Sequence, residues 1–337
     1  MSGDRPLRVA VVGVGHLGRF HARIYHDNPR AELVCIADVD EAHARSLADE
    51  LGCDAVGDMG DLPSDLDAVS VVVPTSHHVA VAVPLLERGI ACLVEKPLAP
   101  KAEDAREILA ARDRGGATLA VGHVERFQPG VRRLKELGHE PRFIECHRLT
   151  KFSFRSMDVG VVHDRMIHDL DLVLHLVDSP VASLDASGGV ILTQGEDLAS
   201  VRLVFENGAR ANVTASRVSL QPMRRFRTFS GDGYVSLDFA ENHGILVRKG
   251  GEWDAGLSDL RTLDPRTLAG REEFVLGGML DVHPLELENE ERPLQAELDS
   301  FLVSVASGTP PEVTGEDGFA ALALADHIAA EIHAQSW

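Results

Sequence analysis

Leu7-Arg8-Val9-Ala10-Val11-Val12-Gly13-Val14-Gly15-His16-Leu17-Gly18 is the stretch that decides the fold. Its first half is a short apolar run rich in valine, the signature of a buried strand. Its second half is G-x-G-x-x-G, and a helical pattern from Arg19 to about Asn28 follows at once. In a strand–turn–helix setting each glycine has a mechanical reason. Gly13 permits the tight turn, Gly15 lets the backbone approach a pyrophosphate at the helix N-terminus, and Gly18 lets helix and strand pack closely. His16 and Leu17, between the last two glycines, are placed at the same ligand. The next apolar run, Glu32 to Ala37, ends in Asp38, 20 residues beyond Gly18. A carboxylate there accepts hydrogen bonds from an adenosine ribose diol and repels a 2′-phosphate. Neither Val39 nor Asp40 is an arginine that would rescue such a phosphate. The cofactor expected is NAD.

Working outward, the alternation repeats. A helix is expected over Glu41 to Leu51 and a strand over Asp67 to Val73, which ends in Pro74-Thr75-Ser76-His77-His78. A helix to Gly89, a strand over Ile90 to Val94, a helix over Ala102 to Arg114 and a strand over Ala117 to Gly122 complete the series. Strands alternating with helices through right-handed crossovers make a doubly wound parallel sheet. In such sheets ligands bind beyond the carboxyl ends of the strands. That rule puts Pro74, Thr75 and His78 after one strand, and Glu95-Lys96-Pro97 after the next, at the cofactor.

Past residue 125 the pattern changes to short alternating runs. Ser200–Phe205 and Ala211–Ser216 flank Glu206-Asn207-Gly208, a strong hairpin signal, and Gly231-Asp232-Gly233 marks another turn. The fold class expected is therefore α/β plus α+β. An N-terminal Rossmann domain with a doubly wound parallel sheet spans 1–125. A C-terminal, predominantly antiparallel sheet domain for substrate binding and oligomerisation spans 126–337. The last helices, Leu294–Ser307 and Gly318–Gln335, pack back on the first domain in this reading. Residues 250–290 are loop-rich and acidic and yield no element.

A net charge of −20 over 337 residues excludes nucleic acid and anionic membrane as natural partners. Cys35, Cys53, Cys92 and Cys146 have no metal-type spacing and read as free thiols of a reducing compartment. No apolar run approaches the ~18 residues of a membrane span. The N-terminus carries no signal-peptide pattern, and the expected location is cytoplasmic.

The chemistry outside the first domain concentrates on a helix expected from Asp164 to Val177. At about 100° per residue, Asp164, His168, Asp171 and His175 fall within about 60° of one another. Met166, Ile167, Leu170, Val173, Leu174 and Val177 take the opposite face. The polar stripe reads as a solvated face, as a metal site, or as acid–base machinery. Cysteine or further histidine ligands to support a metal are lacking. Hydride leaves a carbinol carbon only as the hydroxyl proton is taken, and histidine suits that proton at neutral pH. A lysine ammonium such as that of Lys96 polarises the same oxygen.

The glycine fingerprint, Glu95-Lys96-Pro97 and Asp164-x-x-x-His168-x-x-Asp171 together resemble the Gfo/Idh/MocA oxidoreductases, over nearly the whole chain including Asp317-Gly318 and its helix. The resemblance implies a cis Lys96–Pro97 bond, Lys96 near nicotinamide and substrate hydroxyl, His168 as proton acceptor, and Asp164 binding or orienting substrate. Glu95 is expected to bind cofactor or hold Lys96 in place. Val121 to Pro129, Met157 to Val162 and Asn212 to Arg217 look like the branch that oxidises the 3-hydroxyl of UDP-N-acetylglucosamine, whose ketone feeds an aminotransferase making a 3-amino sugar for lipid A. Gln128 and Arg165 depart from that branch's pattern. Arg126, in the first of these motifs, is assigned to the cofactor. Lys151 and Arg155, with Arg217, Arg224, Arg225 and Arg227, are candidates for the substrate's phosphates. A sugar or polyol dehydrogenase of inositol type and a catalytically silent NAD-binding sensor are the alternatives. A dimer or tetramer is expected from the free sheet face.

Overall fold

The computed structural model describes residues 5–153, 159–250, 280–285, 287 and 292–335. The chain divides into two compact units, the first comprising residues 1–128, 170–172 and 290–330. Its sheet holds β1 (Leu7–Val12), β2 (Ala31–Ala37), β3 (Asp54–Val56), β4 (Ala68–Val71), β5 (Ala91–Glu95) and β6 (Leu119–Gly122). The order is β3-β2-β1-β4-β5-β6, every pair parallel. Strand order therefore reverses between β1 and β4, where a doubly wound sheet opens its ligand crevice. β4 and β5 are buried along their whole length. That explains their largely apolar sequences, since a strand covered on both faces has no polar side to show, and the two polar residues they hold, Ser70 and Glu95, are buried.

Helices α1 (Gly18–Asp27), α2 (Glu41–Leu51), α3 (His78–Glu87) and α4 (Ala102–Gly115) follow the strands. Asp40 caps α2 by accepting from the His43 amide at 3.1 Å, and Gly52 ends it in the left-handed region at φ 69°. α7 (Pro293–Ser307) belongs to this unit, and Leu298, Phe301 and Leu302 share one core with Val9, Val11, Tyr25, Ile36 and Leu93. α8 (Gly315–His333) follows, and Thr314 just before it bridges to Ala120 of β6.

The second unit comprises residues 129–169, 173–289 and 331–337. Its eight strands are β7 (Phe143–Leu149), β8 (Val181–Gly189), β9 (Leu198–Phe205), β10 (Arg210–Ser216), β11 (Met223–Phe229), β12 (Gly233–Asp238), β13 (His243–Lys249) and β14 (Leu280–Leu285). They run in the order β14-β13-β12-β11-β7-β10-β9-β8. Only β7 and β10 pair in parallel. Alternate residues such as Val201, Leu203, Ala211 and Val213 are buried, as a sheet with one packed face requires. The expected hairpin joins β9 to β10, with Gly208 at φ 83°.

Helix α5 (Pro129–Glu136) opens this unit, and α6 (Ile167–Val177) carries the histidine motif. The two-part fold class is as the sequence predicts. The details differ. The alternation of Phe143 to Phe154 reads in the sequence as one strand, and the strand stops at Leu149. β8 and β14, the two edge strands, were not foreseen: β8 alternates small and polar residues, and β14 lies in the segment that gave no assignment. The turn before α6 is a π-helix over Val162–Met166, with the Ile167 amide donating to the Val162 carbonyl. Its wider turn breaks the uniform 100° step assumed for Asp164 to Val177. No described helix is long and apolar enough to cross a membrane.

Candidate active site

Within the first unit a cavity of about 670 Å³ opens at the carboxyl ends of β1, β2 and β4. Gly13, Gly15, His16, Asp38, Pro74 and His77 are among its walls. Gly13 adopts φ +88°, and a Cβ there would sit 2.7 Å from the Val72 carbonyl carbon. A Cβ on Gly18 would run into the carbonyl oxygen of Gly13. Gly15 has no protein atom within 4 Å of its missing Cβ, so its open side faces whatever fills the cavity. Leu17 is exposed beside it, and Thr75 begins a short 3-10 turn, Thr75–His77, half-buried. The Asp38 carboxylate is aimed by two backbone amides, Val14 at 2.8 Å and Asp40 at 2.9 Å. Its remaining lone pairs are available to a ribose diol. A glycine-lined approach for a pyrophosphate and an oriented acid for a ribose fit a bound NAD.

β5 ends at Glu95, and the Lys96–Pro97 bond that follows is cis. Lys96 is half-buried, while Glu95 is 8% exposed. One carboxylate oxygen of Glu95 lies 3.3 Å from Nε2 of His21, and the other accepts from the Lys96 amide at 3.1 Å. A Cβ on Gly122 of β6 would sit 3.0 Å from that carboxylate, so the glycine makes its room. Burial alone would raise the Glu95 pKa, but the hydrogen bond and charge of His21, then the charge of Lys96, outweigh it and hold it below the usual range. His123 is fully buried, and burial pushes its pKa down against the pull of Asp171.

Two residues expected at the cofactor are engaged elsewhere. His78 is 1% exposed, with Nδ1 3.0 Å from the Pro97 oxygen and Nε2 3.0 Å from the Val73 oxygen. Arg126 grips Asp171 through Nε at 2.8 Å and a terminal nitrogen at 2.6 Å, and it reaches Asp317 at 3.3 Å and the Glu312 carbonyl at 3.2 Å. Its side chain is 3% exposed and that of Asp171 is 1%. Asp171 is thus a buried counter-ion and not a member of an open polar stripe. Its helical phase gave no hint that an arginine 45 positions earlier would claim it.

In the second unit Asp164 and His168 are half-buried, Asp164 lies in the π turn, and His168 is the second residue of α6. The buried carboxylate of Glu196, between β8 and β9, accepts from the Val162 amide at 3.1 Å. A Cβ on Gly160 would collide with that carboxylate. Asp197 gathers the amides of Ile191, Leu192 and Thr193 at 2.6–3.0 Å. Burial opposes its charge, yet these hydrogen bonds bring its pKa below the usual range. Asp169 is buried against Arg148, both nitrogen–oxygen distances being 2.8 Å.

Of the candidate phosphate ligands, Lys151 is exposed, whereas Arg217 is 3% exposed and donates to the Val159 carbonyl at 2.6 Å. Arg225 faces Asp238 and Arg227 faces Glu145, each at 3.3 Å, and Arg224 lies over the Phe239 ring. Arg155 lies outside the described residues. No group of three or more His, Cys, Asp or Glu side chains among the described residues is placed to hold a metal ion. His21 and His123 were not singled out by the sequence. His21 stands three residues past Gly18 on a buried helix face, a position indistinguishable from core by pattern alone.

Residues 7–123 match the oxidoreductase family with an NAD-binding Rossmann fold, and residues 104–235 match the GFO/IDH/MocA C-terminal domain. The chain belongs to the Gfo/Idh/MocA oxidoreductases. As a member it is an NAD-binding enzyme of the class that acts on CH–OH groups. It is 34% identical over 329 residues to UDP-N-acetylglucosamine 3-dehydrogenase of Acidithiobacillus ferrooxidans, covering 97% of this chain and 98% of that protein. The solved structure of that organism's UDP-N-acetylglucosamine 3-dehydrogenase GnnA matches with a TM-score of 0.85 at 33% identity, over 97% of this chain and 98% of that one. Inositol 2-dehydrogenase of Rhizobium meliloti is 26% identical over 337 residues, or 95% of each chain.

Proposed function

We propose that this Gfo/Idh/MocA oxidoreductase oxidises the 3-hydroxyl of UDP-N-acetylglucosamine with NAD. The observation that carries the reading is the end-to-end likeness to a dehydrogenase of that sugar nucleotide, at 34% identity against 26% for the inositol enzyme. Bound NAD would supply the hydride acceptor. Gly13, Gly15 and Gly18 admit its pyrophosphate, and Asp38 takes its adenosine ribose. His168 removes the hydroxyl proton, an imidazole being able to accept it at neutral pH. Lys96 polarises the same oxygen with its ammonium, and Asp164 orients the sugar. Lys151 and Arg155 meet the diphosphate. The C-terminal sheet domain, in this reading, binds substrate and forms the contacts of a homodimer or tetramer in the cytoplasm. A 3-oxo sugar is a ready substrate for an aminotransferase, which supports a place in 3-amino sugar synthesis of the lipid A type.

The test is NADH formation from UDP-N-acetylglucosamine, coupled to a ketone trap because the oxidation is uphill. Lys96→Ala and His168→Ala are each expected to lower turnover at least ~10²-fold, with NAD affinity largely kept. Near-normal turnover in either variant overturns the roles assigned. Failure of UDP to inhibit competitively, with myo-inositol turned over instead, moves the substrate to the polyol class.

A further inference from the structure

Two imidazoles sealed from solvent flank Glu95-Lys96-Pro97. His21, on α1, is 0% exposed; its Nε2 lies 3.3 Å from Oε1 of Glu95 and its Nδ1 3.2 Å from Oγ of Ser70. Ser70, in β4, in turn lies 2.8 Å from the Tyr25 hydroxyl. Tyr25 and Ser70, and Ser70 and Nδ1 of His21, form a buried hydrogen-bonded row, and Nε2 of His21 faces the Glu95 carboxylate at ion-pair distance. Burial keeps the tyrosine proton in place by raising its pKa.

His78, the first residue of α3, works from the other side. Its Nδ1 is 3.0 Å from the Pro97 oxygen and 3.3 Å from that of Leu98, while Nε2 is 3.0 Å from the Val73 oxygen. Val73 lines the nucleotide cavity just beyond β4. Both histidines therefore touch the tripeptide with one nitrogen and the β4 segment with the other.

We propose that His21 and His78 are positioning residues for Lys96, His21 acting through the carboxylate of Glu95 and His78 through the carbonyl oxygens of Pro97 and Leu98. The inference rests on the reading that Lys96 meets the substrate hydroxyl. A lysine ammonium sits on four flexible carbons, and its reach is set by where its Cα is held. Here the residue before it is paired with the buried ring of His21, which a hydrogen bond to Ser70 holds in place, and the two residues after it meet the buried ring of His78. Displacements of about 1 Å at a reacting group lower rates by about 10²-fold. His21 and His78 reach neither the cavity surface nor a reacting atom, and they act through main chain and Glu95.

The experiment compares His21→Leu, His21→Asn, His78→Leu, His78→Asn and His78→Gln in the full chain. NADH affinity, kcat and KM with UDP-N-acetylglucosamine are measured. The rate at which pyridoxal 5′-phosphate and borohydride label Lys96 is read by peptide mass spectrometry, with exposed Lys101 as internal reference. Both leucine variants are expected to lose at least ~10-fold in kcat with NADH affinity within about twofold, the signature of lost transition-state geometry. Relative labelling of Lys96 is expected to change at least threefold. His78→Asn, which keeps a donor near Nδ1 toward Pro97, is expected to recover most of the loss. His78→Gln, whose amide reaches toward Val73, is expected to recover less. Unchanged Lys96 labelling overturns the proposal, as does NADH affinity falling in step with kcat. If the leucine variants do not fold, His21→Asn and the two amide variants at 78 decide by the same labelling: wild-type rates in all three refute it. Should UDP-N-acetylglucosamine not be oxidised by the wild type, the function reading falls while the labelling comparison still stands.

Discussion

Asp171→Asn should destabilise the protein by about 3 kcal/mol. The Arg126–Asp171 pair is almost fully enclosed, with side chains 3% and 1% exposed and two short hydrogen bonds between them. Breaking a buried pair by removing one partner costs about 3–5 kcal/mol, because the surviving charge stays buried without its counter-ion. Two contacts place this case at the lower end. Arg126 keeps Asp317 at 3.3 Å and the Glu312 carbonyl at 3.2 Å, so its charge retains part of its compensation. With ~2–4 °C of melting temperature per kcal/mol for a unit of this size, the loss is about 6–12 °C. Arg126→Met should cost as much or more, since it leaves the Asp171 carboxylate buried with no guanidinium. The double variant Arg126→Met/Asp171→Leu should melt above either single variant, since neither member of the enclosed pair is then left without its counter-ion, and Asp317, 34% exposed, keeps Thr314 and solvent. The assay is thermal unfolding by circular dichroism with urea denaturation alongside. A single variant melting within about 2 °C of wild type, or a double variant no better than the sum of the two losses, would refute the reasoning.

Burial, then the charges of Glu95 and Asp171, hold the pKa of Glu297 well above its ordinary 4.5. The neutral acid's contribution to stability is whole below that ordinary value and is lost as pH rises, by at most ~1.4 kcal/mol per unit. Glu297→Gln should therefore gain on wild type steadily from pH 5 to pH 8 in urea titrations, and parallel curves would sink the idea. Gly15→Ala should melt like wild type yet bind NAD at least ~10-fold more weakly, because its Cβ meets only ligand space. Gly18→Ala should lose both stability and NAD binding, and equal behaviour of the two variants would contradict the cradle. Asp38→Ala should weaken NAD binding at least ~10-fold and narrow the preference over NADP; an unchanged ratio of the two dissociation constants counts against the ribose assignment.

The parts of the site that were legible in the sequence are those fixed by local geometry. Gly13, Gly15 and Gly18 have no substitute in a strand–turn–helix that must let a phosphate approach, and Asp38 is timed by the length of one crossover. The place of Lys96, just past the carboxyl end of a strand in a parallel sheet, was legible in the same way. What pattern could not supply was partnership. Asp171 shares a helical phase with Asp164 and His168, but Arg126 claims it, and only the packed chain shows that. His78, expected at the cofactor where a helix opens, instead lies buried with Nδ1 3.0 Å from the Pro97 oxygen and Nε2 3.0 Å from that of Val73. The π turn at Val162–Met166 is invisible to any fixed helical step. β8 escaped because an edge strand that is only partly buried need not alternate apolar and polar residues.

The core of the nucleotide-binding unit has a consequence for the order in which the chain is made. Leu298, Phe301 and Leu302 of α7 complete a core begun by β1, β2 and β5. When residue 128 leaves the ribosome, the six strands exist but part of their apolar cover has yet to be translated. At ~5–20 residues per second, the wait until residue 290 and its helix is roughly ten to thirty seconds. During that interval the nascent sheet presents an uncovered oily surface and is a natural client for a chaperone. A chain terminated before α7 would leave that surface permanently bare.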